Sequence, residues 1–122
     1  MSKIKEVISY IQNNVGFTSV LRYGNHTKYL INDKVFAIVY QSENPHIILK
    51  ANGRFNIKFR KDYKDTVFPS YAINRYHWNM ILIDGEIPTE ILCRLVEVSY
   101  DEVIEHMTKR QRYTYEYLLT TN

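Results

Sequence analysis

Ile4, Val7, Ile8 and Ile11 recur at helical spacing near the start of the chain, with polar residues between them. Ser2 stands where an N-cap oxygen is needed and Gly16 comes just after two asparagines, so the pattern predicts an amphipathic opening helix. Beyond Tyr23 the pattern changes. Three runs rich in Val, Ile, Tyr and Phe, at residues 28–31, 35–41 and 46–50, read as strands. Asn32-Asp33 suits a tight turn because both residues tolerate left-handed backbone angles, and Asn44-Pro45 punctuates the next connection. A three-stranded antiparallel meander is the expectation.

Asn52-Gly53 ends the meander, with Asn52 able to cap a helix that starts there. Phe55, Phe59 and Tyr63 then recur every four residues, while Arg54, Lys58, Lys61 and Lys64 fall off that line. This predicts a helix with a basic outer face and aromatic side chains packed on the sheet. Phe68-Pro69-Ser70 interrupts the pattern, and residues 71–74 and 77–83 read as two further extended segments, the second closed by an Asp84-Gly85 turn. Pro88 suits a first helical turn and Glu90 complements the positive end of its dipole. Ile91, Leu92, Leu95, Val96, Val103 and Met107 then mark one apolar side, opposite Glu90, Arg94, Glu97, Asp101 and Glu105. Ser99-Tyr100-Asp101-Glu102 has the form of a capping box, so this helix either runs through Ser99 or restarts there. Residues 113–119 fit a last helical turn or a strand.

A chain of 122 residues suits one domain spanning 1–122, with residues 110–122 as a tail, and can bury roughly two-thirds of its unfolded surface. Cys93 is the single cysteine, which excludes an intramolecular disulfide and reads as an inert thiol in a helix interior. No signal peptide or membrane span is legible, because Glu6, Ser9, Gln12, Asn13 and Asn14 interrupt the first apolar run, and a cytoplasmic location is expected. The net charge of +3 is too small to name a partner, but its distribution is uneven. Residues 50–75 carry seven basic side chains against two acidic ones, and residues 84–105 carry seven acidic against one basic. Separate solvated faces account for such runs as readily as a binding surface does.

Catalysis and metal chemistry find little in this chain. His26, His46, His77 and His106 lack zinc-type spacing, and four glycines form no phosphate-cradling loop. Glu90, Glu97, Asp101 and Glu105 describe an ordinary solvent face. Neither a catalytic group nor a metal nor a cofactor is predicted.

Several short motifs remain: Gly24 with Lys28, Lys34-Val35-Phe36-Ala37, Leu49-Lys50, Pro69-Ser70-Tyr71 with Asn74, His77-Trp78-Asn79, Asp84-Gly85 and Ser99-Tyr100. In order and spacing they resemble the MmcQ/YjbR-like proteins, often described as DNA-binding, over nearly the whole chain to about Arg112. The resemblance implies an α+β fold of two layers, an antiparallel sheet in α-β(3)-α-β(2)-α order with helices packed on it. That fold is related to frataxin-like and secretion-chaperone-like folds and is described as a double-wing arrangement. Where many relatives have Asp-Pro after the lysine of the Leu-Lys pair, this chain has Ala51-Asn52-Gly53.

For DNA the candidate phosphate contacts are Lys50, Arg54, Lys58, Lys61, Lys64 and Arg75, with Lys109, Arg110 and Arg112 as a second patch. His77 and Asn79 would share one face of a strand and Trp78 the other. In one reading the polar pair, with Arg75, forms an exposed site for a phosphate or base; in the other Trp78 fills the core and the pair holds neighbouring loops. Ser99 and Tyr100 read as a helix cap and a packed ring. The expected function is non-enzymatic binding of DNA backbone by a monomer, without sequence specificity. The alternative is an adaptor or chaperone-like protein using its sheet and eleven tyrosines on a protein or peptide, and a small-molecule site at Arg75, His77 and Asn79 is a third reading.

Overall fold

The architecture comes from a computed structural model that describes residues 2–70, 73–111, 113 and 117. Its elements are α1 (Lys3–Asn14), β1 (Ser19–Arg22), β2 (His26–Ile31), β3 (Lys34–Tyr40), β4 (His46–Lys50), α2 (Gly53–Asp62), β5 (Val67–Pro69), β6 (Trp78–Leu82) and α3 (Thr89–Glu105). The strands form one antiparallel sheet in the order β1-β2-β3-β4-β6-β5. The α+β class stands, with one strand more than the sequence predicts before α2. That strand, β1, is a short edge strand with mostly exposed residues, so it has little of the apolar alternation that marks a strand.

Caps and turns agree closely with the sequence. Ser2 accepts from the Lys5 amide, and Asn52 accepts from the Arg54 amide at 2.9 Å and caps α2. Asn32 and Asp33 both take positive φ, 48° and 71°, in the β2–β3 turn. Gly85 is required by space, since a Cβ there would come within 2.6 Å of the Thr66 side chain. The first of the two later extended segments lies earlier than expected: β5 includes Pro69, which ends an edge strand where its missing amide costs no ladder bond. Ile73 and Asn74 lie outside any strand, and Tyr71 and Ala72 lie outside the described residues.

Helices α1, α2 and α3 contribute to one face of the sheet. Val7 and Ile11 of α1, Phe59 of α2, and Leu92, Leu95, Val96 and Val103 of α3 join Tyr29, Ile31, Ala37, Val39, Ile47, Leu49, Val67 and Ile81 in the main core. The opposite face holds a smaller cluster of Ile38, Ile48 and Trp78, flanked by Val35, Tyr40, Ile73 and Met80. A register shift opposite Tyr29 and Leu30 leaves Phe36 as an extra residue in β3, so Phe36 and Ala37 both turn to the helical side.

The bulge explains Ser99-Tyr100. α3 runs unbroken through Ser99, whose fully buried hydroxyl donates to the Phe36 carbonyl at 2.6 Å and accepts from the Lys50 amide at 2.8 Å. It therefore bridges β3 and β4 just beyond their last pair, Ala37 with Leu49, and the helix restart that a capping box implies does not occur. Tyr100 donates to the Gly16 carbonyl at 2.7 Å and sets its ring edge-on to Phe36. Among the described residues no helix is long and apolar enough to cross a membrane. In the tail Tyr113 and Tyr117 have helical backbone.

Candidate nucleic-acid interface

Arg54, Lys58 and Lys61 stand exposed on α2, and Lys64 lies in the exposed turn after it. Their position comes from the 3.6-residue period, which turns Asn56 and Phe59 inward and leaves the cations in water. Lys58 lies 2.7 Å from Asp62 one turn on, and that carboxylate raises the lysine above its ordinary value. Phe55 does not pack on the sheet as predicted. It stacks on Phe59 at 5.0 Å and remains 45% exposed, because its helix position faces the gap between α2 and α3. That gap is a cleft of about 450 Å³ lined by Phe55, Phe59, Tyr63, Ile91 and Leu95, with Arg54, Lys58 and Asp62 at its rim.

Of the two readings of His77 and Asn79, the exposed polar site with Arg75 is not formed. Asn79 is 1% exposed; its amide donates to Asn56 Oδ1 at 2.6 Å, and its own oxygen accepts from Arg60 Nε at 2.6 Å. Arg60 also donates to the carbonyls of Arg75 and Trp78, while Asn56 donates to those of Ala51 and Tyr76. This network fastens α2 to the loop ahead of β6, so Asn79 and Arg60 are occupied with structure. His77 precedes the strand, is half-buried and meets the Tyr76 ring edge-on, whereas Arg75 is exposed in the turn. Trp78 is buried on the opposite face, in the arrangement the packing reading describes.

Lys50 is separated from the α2 cations as well. Its register partner is Trp78, so its side chain belongs to the other face of the sheet, where it lines a small cleft with Lys34, Trp78, His106 and Met107. Lys109 and Arg110 are exposed just past α3, in a segment tied to the β2–β3 turn by the bond from Asn32 Nδ2 to the Gln111 carbonyl. Arg112 lies outside the described residues. The first of the two expected patches is thus divided: Arg54, Lys58, Lys61 and Lys64 stand on α2 and just after it, and Lys50 lies apart, beside Lys34 and His106.

One constellation escaped the sequence. Register pairs His26 with Tyr40 and Tyr40 with His46, and Tyr23 folds back after β1. Four rings therefore stack across the helix-free face: Tyr23 on His26 at 4.6 Å, His26 on Tyr40 at 4.8 Å and Tyr40 on His46 at 4.4 Å, with interplanar angles of 16°, 22° and 11°. Lys28 Nζ sits 5.5 Å from the Tyr23 ring centre. Beside the last ring lies a cleft of about 420 Å³ lined by Tyr40, His46, Ile48, Phe68, Pro69, Ser70 and Met80. Of the four rings only Tyr40 and His46 fall in the strand runs read from the sequence, so nothing in the chain announced the stack.

Burial, with Glu6 and Glu97 nearby, pushes the Cys93 thiol up and away from the reactive thiolate. Among the described residues no three His, Cys, Asp or Glu side chains gather as metal ligands would.

The model of the YjbR family matches residues 16–102 of this chain. The uncharacterised protein YjbR of Escherichia coli, from strain K12 and from O157:H7, is 29% identical over 111 residues, 89% of this chain and 93% of that protein. Among solved structures, Deinococcus radiodurans protein DR2400, a DUF419 protein, superposes with a TM-score of 0.78 at 19% identity, covering 95% of this chain and 89% of its own. A Pseudomonas syringae protein superposes with a TM-score of 0.69 at 19% identity, covering 80% and 96%. At that identity the likeness is one of fold.

Proposed function

We propose, for a chain that belongs to the YjbR family, a non-enzymatic monomer that holds DNA by its phosphate backbone through the outer face of α2. The observation that carries this reading is the placement of Arg54, Lys58, Lys61 and Lys64 as exposed cations on one helix and the turn after it. Phosphate contacts of this kind position a duplex without reading its sequence, so no specificity is assigned. Lys109 and Arg110 form a second group able to extend the footprint. Catalysis has no part in the proposal, which places the protein in the cytoplasm.

Four phosphate contacts release enough counterions that affinity falls roughly 100-fold between about 50 and 200 mM salt. Fluorescence anisotropy with a labelled duplex measures this directly. The double variant Lys58→Glu with Lys61→Glu is expected to weaken binding and flatten the salt slope; an unchanged slope removes α2 from the interface. No duplex binding at low salt ends the reading.

A second reading has its own observation. Phe55 and Ile91 are 45% and 37% exposed in the α2–α3 cleft, more apolar surface than a phosphate contact uses. In this reading the protein is an adaptor and the cleft takes an apolar residue of a protein partner, with Arg54 and Lys58 meeting acidic flanks. Ile91→Asp should then abolish capture of such a partner while leaving duplex affinity little changed; a loss confined to duplex binding favours DNA.

A further inference from the structure

We propose that the ring stack ending at His46 is a platform for single-stranded nucleic acid, with an unpaired base entering the cleft beside His46 and continuing the stack. This extends the nucleic-acid reading to a second surface and does not depend on α2.

The stack ends at an open cleft. Tyr23, His26, Tyr40 and His46 succeed one another across four successive strands or their ends, nearly parallel, at centroid spacings of 4.4–4.8 Å. The next register partner of His46 is Leu82 on β6, which has no ring. At this point the surface opens into the cleft of about 420 Å³ whose walls include the apolar side chains of Ile48, Phe68, Pro69 and Met80. The volume falls within the range of small-ligand sites. A base has the face that such a stack lacks on its open side, and base–aromatic stacking is tolerant of sequence.

The charge of this face selects among planar ligands. Reading the ladder register outward from the smaller cluster, the strand side chains on this side include Lys28, Lys50, His26 and His46 and no Asp or Glu. An anionic aromatic compound is therefore favoured over a neutral or cationic one. Lys28 stands over Tyr23, at the far end of the stack from the cleft, where the phosphate of a strand running along the rings would pass. His46 Nδ1 donates to the Asn44 carbonyl at 3.1 Å, which fixes the plane of the ring on which the base would stack. A single strand, which carries both bases and backbone charge across this distance, matches the two ends of the platform together.

The fluorescence of the protein's single tryptophan, Trp78, provides the readout, because it packs in the same cluster as Ile48 and Met80, which line the cleft. Titration of the full chain with short oligo-dT at low salt is expected to change Trp78 emission and to shift the His46 imidazole resonances. His46→Ala should weaken binding about tenfold or more, the loss typical of one stacked base, and His46→Tyr, which keeps a ring, should restore most of it. Lys28→Glu should weaken the oligonucleotide and leave adenosine monophosphate unaffected. The Lys58→Glu, Lys61→Glu variant should retain the Trp78 response, which separates this site from α2. An unresponsive wild-type protein overturns the proposal, as does a folded His46→Ala variant that binds normally. Adenosine monophosphate binding as tightly as oligo-dT overturns the assignment to a strand.

Discussion

Replacing Ser99 by alanine is expected to cost about 2–4 kcal/mol of stability, since each buried backbone group left unpaired costs about 1–3 kcal/mol. The hydroxyl serves two such groups at once, the Phe36 carbonyl and the Lys50 amide, from a position with no solvent exposure. Neither strand can supply the missing partner, because the bulge has already carried Phe36 out of the ladder. A denaturant melt should show the midpoint fall with little change in slope, the signature of lost stability without a change in the surface exposed. A loss below about 0.5 kcal/mol, within the range of ordinary surface substitutions, would mean that the two strands close without the serine.

Asn79→Leu is the second substitution expected to be severe, at about 2–4 kcal/mol, because it keeps the branched heavy-atom skeleton but removes both hydrogen-bonding ends. Asn56 Oδ1 would lose its donor and Arg60 Nε its acceptor, the former in a residue 1% exposed. The partners lie on α2 and the substitution on β6, so loosening should spread to the turn that carries Arg75 and Tyr76. A double-mutant cycle between Asn56→Ala and Asn79→Ala should give a coupling of about 0.5–3 kcal/mol. Additive losses would show that the two amides do not act together. Duplex affinity of the folded Asn79→Leu variant should match the parent, because a buried amide makes no ligand contact.

Much of the fold could be read from the chain because its signals are local. The spacing of Ile4, Val7, Ile8 and Ile11, the cap at Ser2, the left-handed pair Asn32-Asp33 and the cap at Asn52 each act within a few residues. β1 escaped because an exposed edge strand has no apolar alternation to reveal it, and β5 because Pro69 reads as a break until its edge position is known. The candidate site fared less well. Four cations on and just after α2 were found by period alone, but Lys50 belongs to the other face and Asn79 is enclosed by α2, neither of which a linear charge count can reveal.

By itself the sequence determined most of the elements, their caps and the exposed charge on α2, along with the family to which the motif order pointed. Only the tertiary structure decided what Ser99 and Asn79 are for and that Tyr23, His26, Tyr40 and His46 form one stack. The physical reason lies in strand register. Pairing His26 with Tyr40 and Tyr40 with His46 fixes which side chains are neighbours across the sheet, and shifting any strand by one residue would send its ring to the opposite face. That choice is made by burial of the core as a whole, so no local segment contains it.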